Sequence, residues 1–535
     1  MTHGIIMKPN KLRSAAFNRR RLLIGGAVAG SANWLAPQFA HAAAKDLPVR
    51  AKGPDVYSLF GVRPFINCTS TYTINGGSAM LPEVIEAMNN AAFYPVNLDE
   101  LMEGAGKRIA ELLQVEGAMV SSGAAGAMTC ATLACVAGGD PEKMQQLPDT
   151  TGLKGEVIVP RWSRSIYDHA VRSTGVRMVE VETLADLEAA FSPRTAMVTG
   201  QINLANDGNP FTLEQYATAA HKRGVPLVID VADRLPLVPN PYISRGADLV
   251  AYSGGKIIRG PQTAGMLVGR KDLIAAAFMN SAPHHAFARA MKVSKEEIAG
   301  MVKAVELLRT GKRNRDQEDE EWRSWFRHII DRVSKVPGVS GEIIEPKDKQ
   351  YYPTMKVVWD AQRVGFTAGE VGKLLLDGTP RIMTHAGLNE RNQASEMLLR
   401  PAAMWPGEYK IVADRLHEVL SKAPGLRSKP QLAPPAGDVA GLWEAELKFS
   451  VGAARHTFYL DPKDNNLSGQ YTGRLVKGPL KGHIDGNKVE FTGGGRIEGA
   501  SLQYTYKGTF DGKQMSGTVD LGEYGTARFS ATRKA

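Results

Sequence analysis

Lys256 stands in the run Tyr252-Ser253-Gly254-Gly255-Lys256, where the apolar stretch 248–252 gives way to small residues. A primary amine there can form an imine with an aldehyde, small neighbours leave it room to swing, and the upstream Ser253 hydroxyl can reach a phosphate. Asp230 ends another apolar stretch, 226–230, and is followed by Val231-Ala232. A carboxylate at the end of a buried strand can keep a pyridine nitrogen protonated, which makes the ring an electron sink. Lysine, serine and aspartate in these settings supply what pyridoxal 5'-phosphate (PLP) needs from a protein. A third segment, Ser121-Ser122-Gly123-Ala124-Ala125-Gly126-Ala127, follows the apolar run 118–120 and opens an alanine-rich helical stretch. Unpaired N–H groups and the helix dipole point the same way at such a start, so Ser122, Gly123 and Ala124 are candidates to receive the cofactor phosphate.

The remaining contacts are read from neighbouring loops. Asn206, in the loop after the strand-like run 195–201, is the candidate for bonding the cofactor's phenolic oxygen, although loop asparagines also form turns. A substrate carboxylate calls for a planar, bidentate cation. Arg400 is the candidate, with Arg381 as an alternative, and Arg259, Arg289 and Lys292 are further cations that can grip an anion. The doublet His284-His285 has no second cluster at metal-ligand spacing, so no metal site is expected.

The segment Tyr252-Ser253-Gly254-Gly255-Lys256-Ile257-Ile258-Arg259-Gly260-Pro261-Gln262-Thr263-Ala264-Gly265 resembles the lysine segment of the bacterial selenocysteine synthase (seryl-tRNA seleniumtransferase) family and of its D-glucosaminate-6-phosphate ammonia lyase-like relatives. Asn75-Gly76-Gly77-Ser78-Ala79-Met80-Leu81-Pro82, Leu98-Asp99-Glu100-Leu101 and Ala290-Met291-Lys292-Val293-Ser294-Lys295-Glu296-Glu297 resemble the lyase-type branch. The resemblance covers roughly residues 55–420. It implies the PLP-dependent transferase fold (fold type I, aspartate aminotransferase-like), a homodimer or higher homo-oligomer, and an amino acid or amino sugar acid as substrate. It further implies chemistry at the substrate α carbon, most simply α,β-elimination. Racemase, aldolase, aminotransferase and seleniumtransferase outcomes stay open on the same scaffold. The resemblance also implies a ring or imidazole stacked on the cofactor, supplied here by the loop Arg161-Trp162-Ser163-Arg164-Ser165 and the following Ile166-Tyr167-Asp168-His169. Trp162 and His169 are its two candidates. Relatives of the lyase type carry a histidine near position 163, from which this chain departs.

The N-terminus sets an expected compartment. Asn18-Arg19-Arg20-Arg21-Leu22-Leu23 precedes a glycine- and alanine-rich apolar run, and Ala40-His41-Ala42 is a small-x-small cleavage site. Residues 1–42 therefore read as a twin-arginine signal, with the export machinery as partner and a periplasmic or secreted destination. The run is too short to span a bilayer. Residues 1–42 hold six of the basic residues and no acidic one, so the formal charge falls from +10 to +4 on their removal. That mild balance argues against nucleic acid as a partner. The three cysteines, Cys68, Cys130 and Cys135, are expected as free thiols, since the last two share one helix.

Alternation of short apolar strands with helical stretches from about residue 116 predicts an α/β PLP-binding large domain over 43–335 with a largely parallel sheet. A small α+β second domain is expected over 336–420 and a proline-rich linker over 421–440. Residues 441–535 change character, with about eight period-two strands punctuated by turns at 461–466, 485–486 and 511–512. A small antiparallel barrel or a compact sandwich is expected there. Its opening Gly441-Leu442-Trp443 and near-terminal Arg533 resemble the lipocalin pattern. The competing reading makes this module the functional part of a secreted binding protein, with an apolar ligand in the barrel mouth and catalysis lost.

Overall fold

The computed structural model describes residues 56–202, 204, 208–385, 396–425 and 431–534. The expected signal segment and Asn206 lie outside them. Seven strands form the central sheet in the order Gly117–Ser121, Gly265–Gly269, Leu249–Ser253, Leu227–Asp230, Thr195–Gly200, Glu156–Pro160, Arg177–Val181. Every pairing is parallel except the two made by Gly265–Gly269. The inner strands are almost continuously apolar because helices cover both faces, as parallel connections require. The helix Gly123–Ala137 is buried on nearly every side, which its small side chains permit. It holds Cys130 and Cys135. All three cysteines are free, and burial pushes the thiols of Cys130 and Cys135 up to about 12, so neither is a nucleophile at neutral pH.

The charged helix Arg315–Val333 buries a stripe of Trp322, Trp325, Phe326, Ile329 and Val333. It packs on the helix Glu408–Ser421, with Trp325 stacked on Tyr409 at 5.6 Å and 7°. A second, antiparallel sheet lies within residues 336–420, Glu396–Leu399 beside Thr354–Trp359 beside Val339–Ile344. A short parallel pair, Phe65–Asn67 with Arg381–Met383, ties the N-terminal segment to it.

Eight antiparallel strands from Gly441–Lys448 to Thr526–Arg533 close into a barrel, which decides between the two all-β expectations. Trp443 pairs with Arg533 across the closing seam, its indole N–H donates to the Val439 carbonyl at 2.9 Å, and Arg533 binds Asp438. These contacts lie at the seam that closes the barrel. Trp443, Phe458, Phe491, Tyr471 and Tyr506 are fully buried and fill the lumen with mutually packed rings. The interior is thus a packed core, which disfavours a ligand site inside it. Among the described residues no helix is long and apolar enough to cross a membrane.

Candidate active site

The parallel strands end together at one edge of the sheet, where α/β folds bind their ligands. In register, Ser121, Gly265 and Ser253 lie side by side on three adjacent strands, and Asp230 lies opposite Ala251 on the next. Four sequence segments far apart in the chain thereby converge: the helix start at Ser122, the Lys256 turn, Asp230 and the loop after Pro160.

A cleft of about 300 Å³ opens at this edge, lined in part by Ser163, Ser165, Tyr167, Gln201 and Asp230. The Asp230 carboxylate accepts from Gln201 Nε2 and from the Ala232 N–H, each at 3.0 Å. Burial raises its pKa against the hydrogen bonds and the charge of Lys256. A buried carboxylate held by neutral donors is a fit for a protonated ring nitrogen, which would supply the missing cation at close range. At the helix start, Ser122 makes no capping hydrogen bond and Gly123 has φ +68°, so the first-turn N–H groups remain available. A donor set of this kind fits a phosphate.

The glycines before Lys256 have a different reason from the freedom expected of them. A Cβ on Gly254 would lie 2.8 Å from the Pro261 carbonyl oxygen and 2.9 Å from that of Ala264, and one on Gly255 would lie 2.5 Å from Gln262 Cα. The turn folds tightly onto 261–264 and is fixed by Gly254 N–H to Ala264 O and Gly260 N–H to Gly254 O, both 2.8 Å. The lysine moves on a rigid base. The segment 75–82 backs it, since Ser78 N–H donates to Gly255 O at 2.9 Å and Ala79 N–H to Ala402 O at 3.3 Å.

Ala402 carries the site to Arg400. Its Nε is buried and unpartnered, and the guanidinium acts electrostatically on Tyr352 and His385. A buried guanidinium N–H without a partner fits a carboxylate. Arg381 does not compete, because its guanidinium donates to Leu376 O and Arg63 O. Arg259 is likewise spent on Ala79 O and Glu318. Arg289 and Lys292 line a separate cavity with Leu98, Met102 and Pro283. His284 is held by Phe278 O and Asp99, and no metal-binding group of three or more His, Cys, Asp or Glu side chains is found among the described residues.

Neither aromatic candidate reaches the cleft as expected. Trp162 turns into the core against Phe211, with its indole nitrogen buried, and His169 begins the next short helix outside the cleft lining. The aromatic ring that does line the cleft is that of Tyr167, its centroid 5.8 Å from Lys256 Nζ. The local signal for it was Ser165-Ile166-Tyr167-Asp168, whose Ser165–Asp168 capping box closes one tight turn and presents the tyrosine.

A mainly parallel sheet with lysine, aspartate and an uncapped helix start at its carboxyl edge defines the α/β fold of the PLP-dependent transferases. Residues 168–318 match the family described as SelA: L-seryl-tRNA selenium transferase, and the relatives that share this region are PLP-dependent enzymes. The chain is 28% identical to a D-glucosaminate-6-phosphate ammonia lyase of Salmonella typhimurium over 69% of its own length and 99% of that protein's. A solved D-glucosaminate-6-phosphate ammonia-lyase superposes with a TM-score of 0.60 at 27% identity, with the same coverage. A 5'-C-glycyluridine monooxygenase-decarboxylase from a Streptomyces species is 29% identical over 68% of this chain and 92% of the relative. An L-seryl-tRNA(Sec) selenium transferase of Rhizobium meliloti is 32% identical but aligns with only 48% of this chain and 58% of its own.

Proposed function

We propose that this chain is an exported, PLP-dependent enzyme that removes a β substituent and ammonia from an amino acid or amino sugar acid, working as a homo-oligomer. The meeting of Lys256, Asp230 and the open helix start at one sheet edge carries the reading. PLP, when bound, supplies the electron sink for carbanion chemistry at the α carbon. Lys256 Nζ takes the α proton of the substrate. Asp230 keeps a proton on the ring nitrogen, and Gln201 fixes that carboxylate's orientation. Ser122, Gly123, Ala124 and Ser253 would hold the phosphate, Tyr167 would lie beside the cofactor, and Arg400 would grip the substrate carboxylate. Loss of a β hydroxyl followed by hydrolysis then gives a keto acid and ammonia. Likeness to the lyase over nearly its whole length supports elimination, and the apolar N-terminal run after three arginines supports export.

The test is a visible absorbance spectrum of purified protein before and after borohydride, followed by keto acid release from a panel of hydroxylated D- and L-amino acids. A cofactor band bleached by borohydride, with keto acid formed from at least one member, is the expected result. Absence of a band after reconstitution with PLP overturns the reading. A second outcome is favoured by the Streptomyces relative: oxygen-dependent decarboxylation, which substrate-dependent oxygen uptake distinguishes from elimination.

Asp230→Asn separates activity from stability. Turnover is expected to fall about 10²–10³-fold, the loss seen when one preorganised electrostatic partner is removed. Burial makes the folded Asp230 carboxyl hold its proton to higher pH than the unfolded chain does, so the ionised form costs stability above that range. Cofactor-free Asp230→Asn is therefore expected to melt at or above the wild-type temperature at pH 7–8. A lower melting temperature, or wild-type turnover, would contradict this role.

A further inference from the structure

The lyase relative is matched over 99% of its length by 69% of this chain, so this chain carries material the lyase lacks. The barrel touches the candidate site through one hairpin turn. Strands Lys488–Ile497 and Ala500–Phe510 are joined by Glu498-Gly499, with φ +46° and +77°. Two successive left-handed residues make the tight turn that matches strand twist. This turn lies against the main chain of Ser165, for a Cβ on Gly499 would come 2.4 Å from Ser165 O and 2.6 Å from Ser165 N. Only glycine permits that approach.

Charge pins the same contact. Arg164, whose side chain is 4% exposed, carries three carboxylates on one guanidinium: Asp168, Glu180 and Glu498 of the barrel. Glu498 also lies 3.5 Å from Arg172 Nε. Asp168 is the other half of the capping box that closes the turn Ile166–Asp168 around Tyr167. Alone, that turn has little to hold it, since Ile166 is 46% and Tyr167 52% exposed. A single 3₁₀ turn with so little buried apolar surface sits at the low end of local stability. Its order comes from Arg164 and Ser165, and both are gripped by the barrel.

We propose that the barrel is a strut for the active-site wall: the Glu498-Gly499 turn fixes residues 164–172 and so sets Tyr167 over the cofactor side of the cleft. Glu498, Gly499 and Arg164 are positioning residues on this account. The inference rests on the reading of the cleft as a PLP site for its functional meaning, and on the contact alone for its mechanics.

Gly512→Ala provides a matched control, because Gly512 also has a left-handed φ, +93°, in a barrel turn, but a Cβ there meets nothing within 4 Å. Hydrogen exchange followed by mass spectrometry on the full-length, cofactor-free protein reads peptides spanning 161–173. Gly499→Ala is expected to speed exchange there by at least about tenfold, because its Cβ pushes the whole turn off Ser165 and takes the Glu498–Arg164 contact with it. Gly512→Ala is expected to leave these peptides at the wild-type rate. Glu498→Gln, which keeps the backbone of the turn, is expected to act like Gly499→Ala with a smaller increase. In the protein titrated with PLP, Gly499→Ala is expected to weaken cofactor binding several-fold, and Gly512→Ala to leave it unchanged. Wild-type exchange over 161–173 in both Gly499→Ala and Glu498→Gln overturns the strut, as does an equal increase in Gly512→Ala. A wild-type protein that binds no PLP overturns the site reading instead, while the exchange comparison still decides the strut.

Discussion

Alanine at Lys256 is expected to lower elimination by about 10²–10⁴-fold at saturating substrate, the range that a positioned proton-transfer group contributes. The same change is expected to end covalent attachment of PLP by borohydride. The fold of the turn does not depend on the ammonium group, because its main chain is held by Ala264 O, by Gly254 O and, at Ile258 O, by Arg313. The variant should therefore fold and still bind PLP through the phosphate donors at Ser122, Gly123 and Ala124. A small primary amine added to the assay is expected to restore part of the rate, since it replaces the base without the tether. The measurement is keto acid release with and without the amine. A variant within about tenfold of the wild-type rate would remove Lys256 from the chemistry.

Lys256, Asp230, Ser253 and the 122–124 segment were legible in the sequence for one physical reason: each sits where an apolar strand stops, and strand ends in a parallel sheet share an edge. Tyr167 was not. Its position depends on Arg164, whose partner Glu498 lies 334 residues away in the chain, so no local pattern could report it. Trp162 offered a larger ring two residues before Arg164, yet its neighbour Phe211 draws it into the core. Ring type was visible and ring direction was not. Gly254 and Gly255 show the same limit in another form. Their small size was read as freedom for the lysine, whereas the close backing by 261–264 makes it a condition of rigidity. The barrel was visible in its period-two strands, and what it leans on was not.

The rigid base of the lysine has its own foundation, and breaking it is the second large effect expected. Glu318 receives Arg259, Arg313 and Arg315, and its side chain is 11% exposed. Arg315 has a second carboxylate in Asp319, whereas among the described residues Arg259 and Arg313 have the carbonyls of Ala79 and Ile258 besides Glu318. Glu318→Ala leaves two buried guanidinium groups facing one another, which costs about 3–5 kcal/mol when one partner of a buried pair is removed. The three arginines hold the Glu318 carboxyl down to about 2 despite its burial. Burial lowers Arg313 to about 10, so it stays charged at neutral pH. With an unfolded carboxyl near 4.3, the network contributes about 3 kcal/mol above that pH, lost as pH falls toward 2. Wild-type stability is therefore expected to drop between about pH 4 and pH 2, and the Glu318→Ala protein to lack that part of the drop. Urea unfolding followed by tryptophan fluorescence suits the test, because Trp322 lies one turn along the same helix and carries Arg315 4.9 Å from its ring. Since Arg313 holds Ile258 O and Arg259 belongs to the turn itself, PLP affinity should fall together with stability. A Glu318→Ala protein as stable as wild type at pH 7, or one that keeps full PLP affinity after losing stability, would show that the Lys256 turn does not rest on this network.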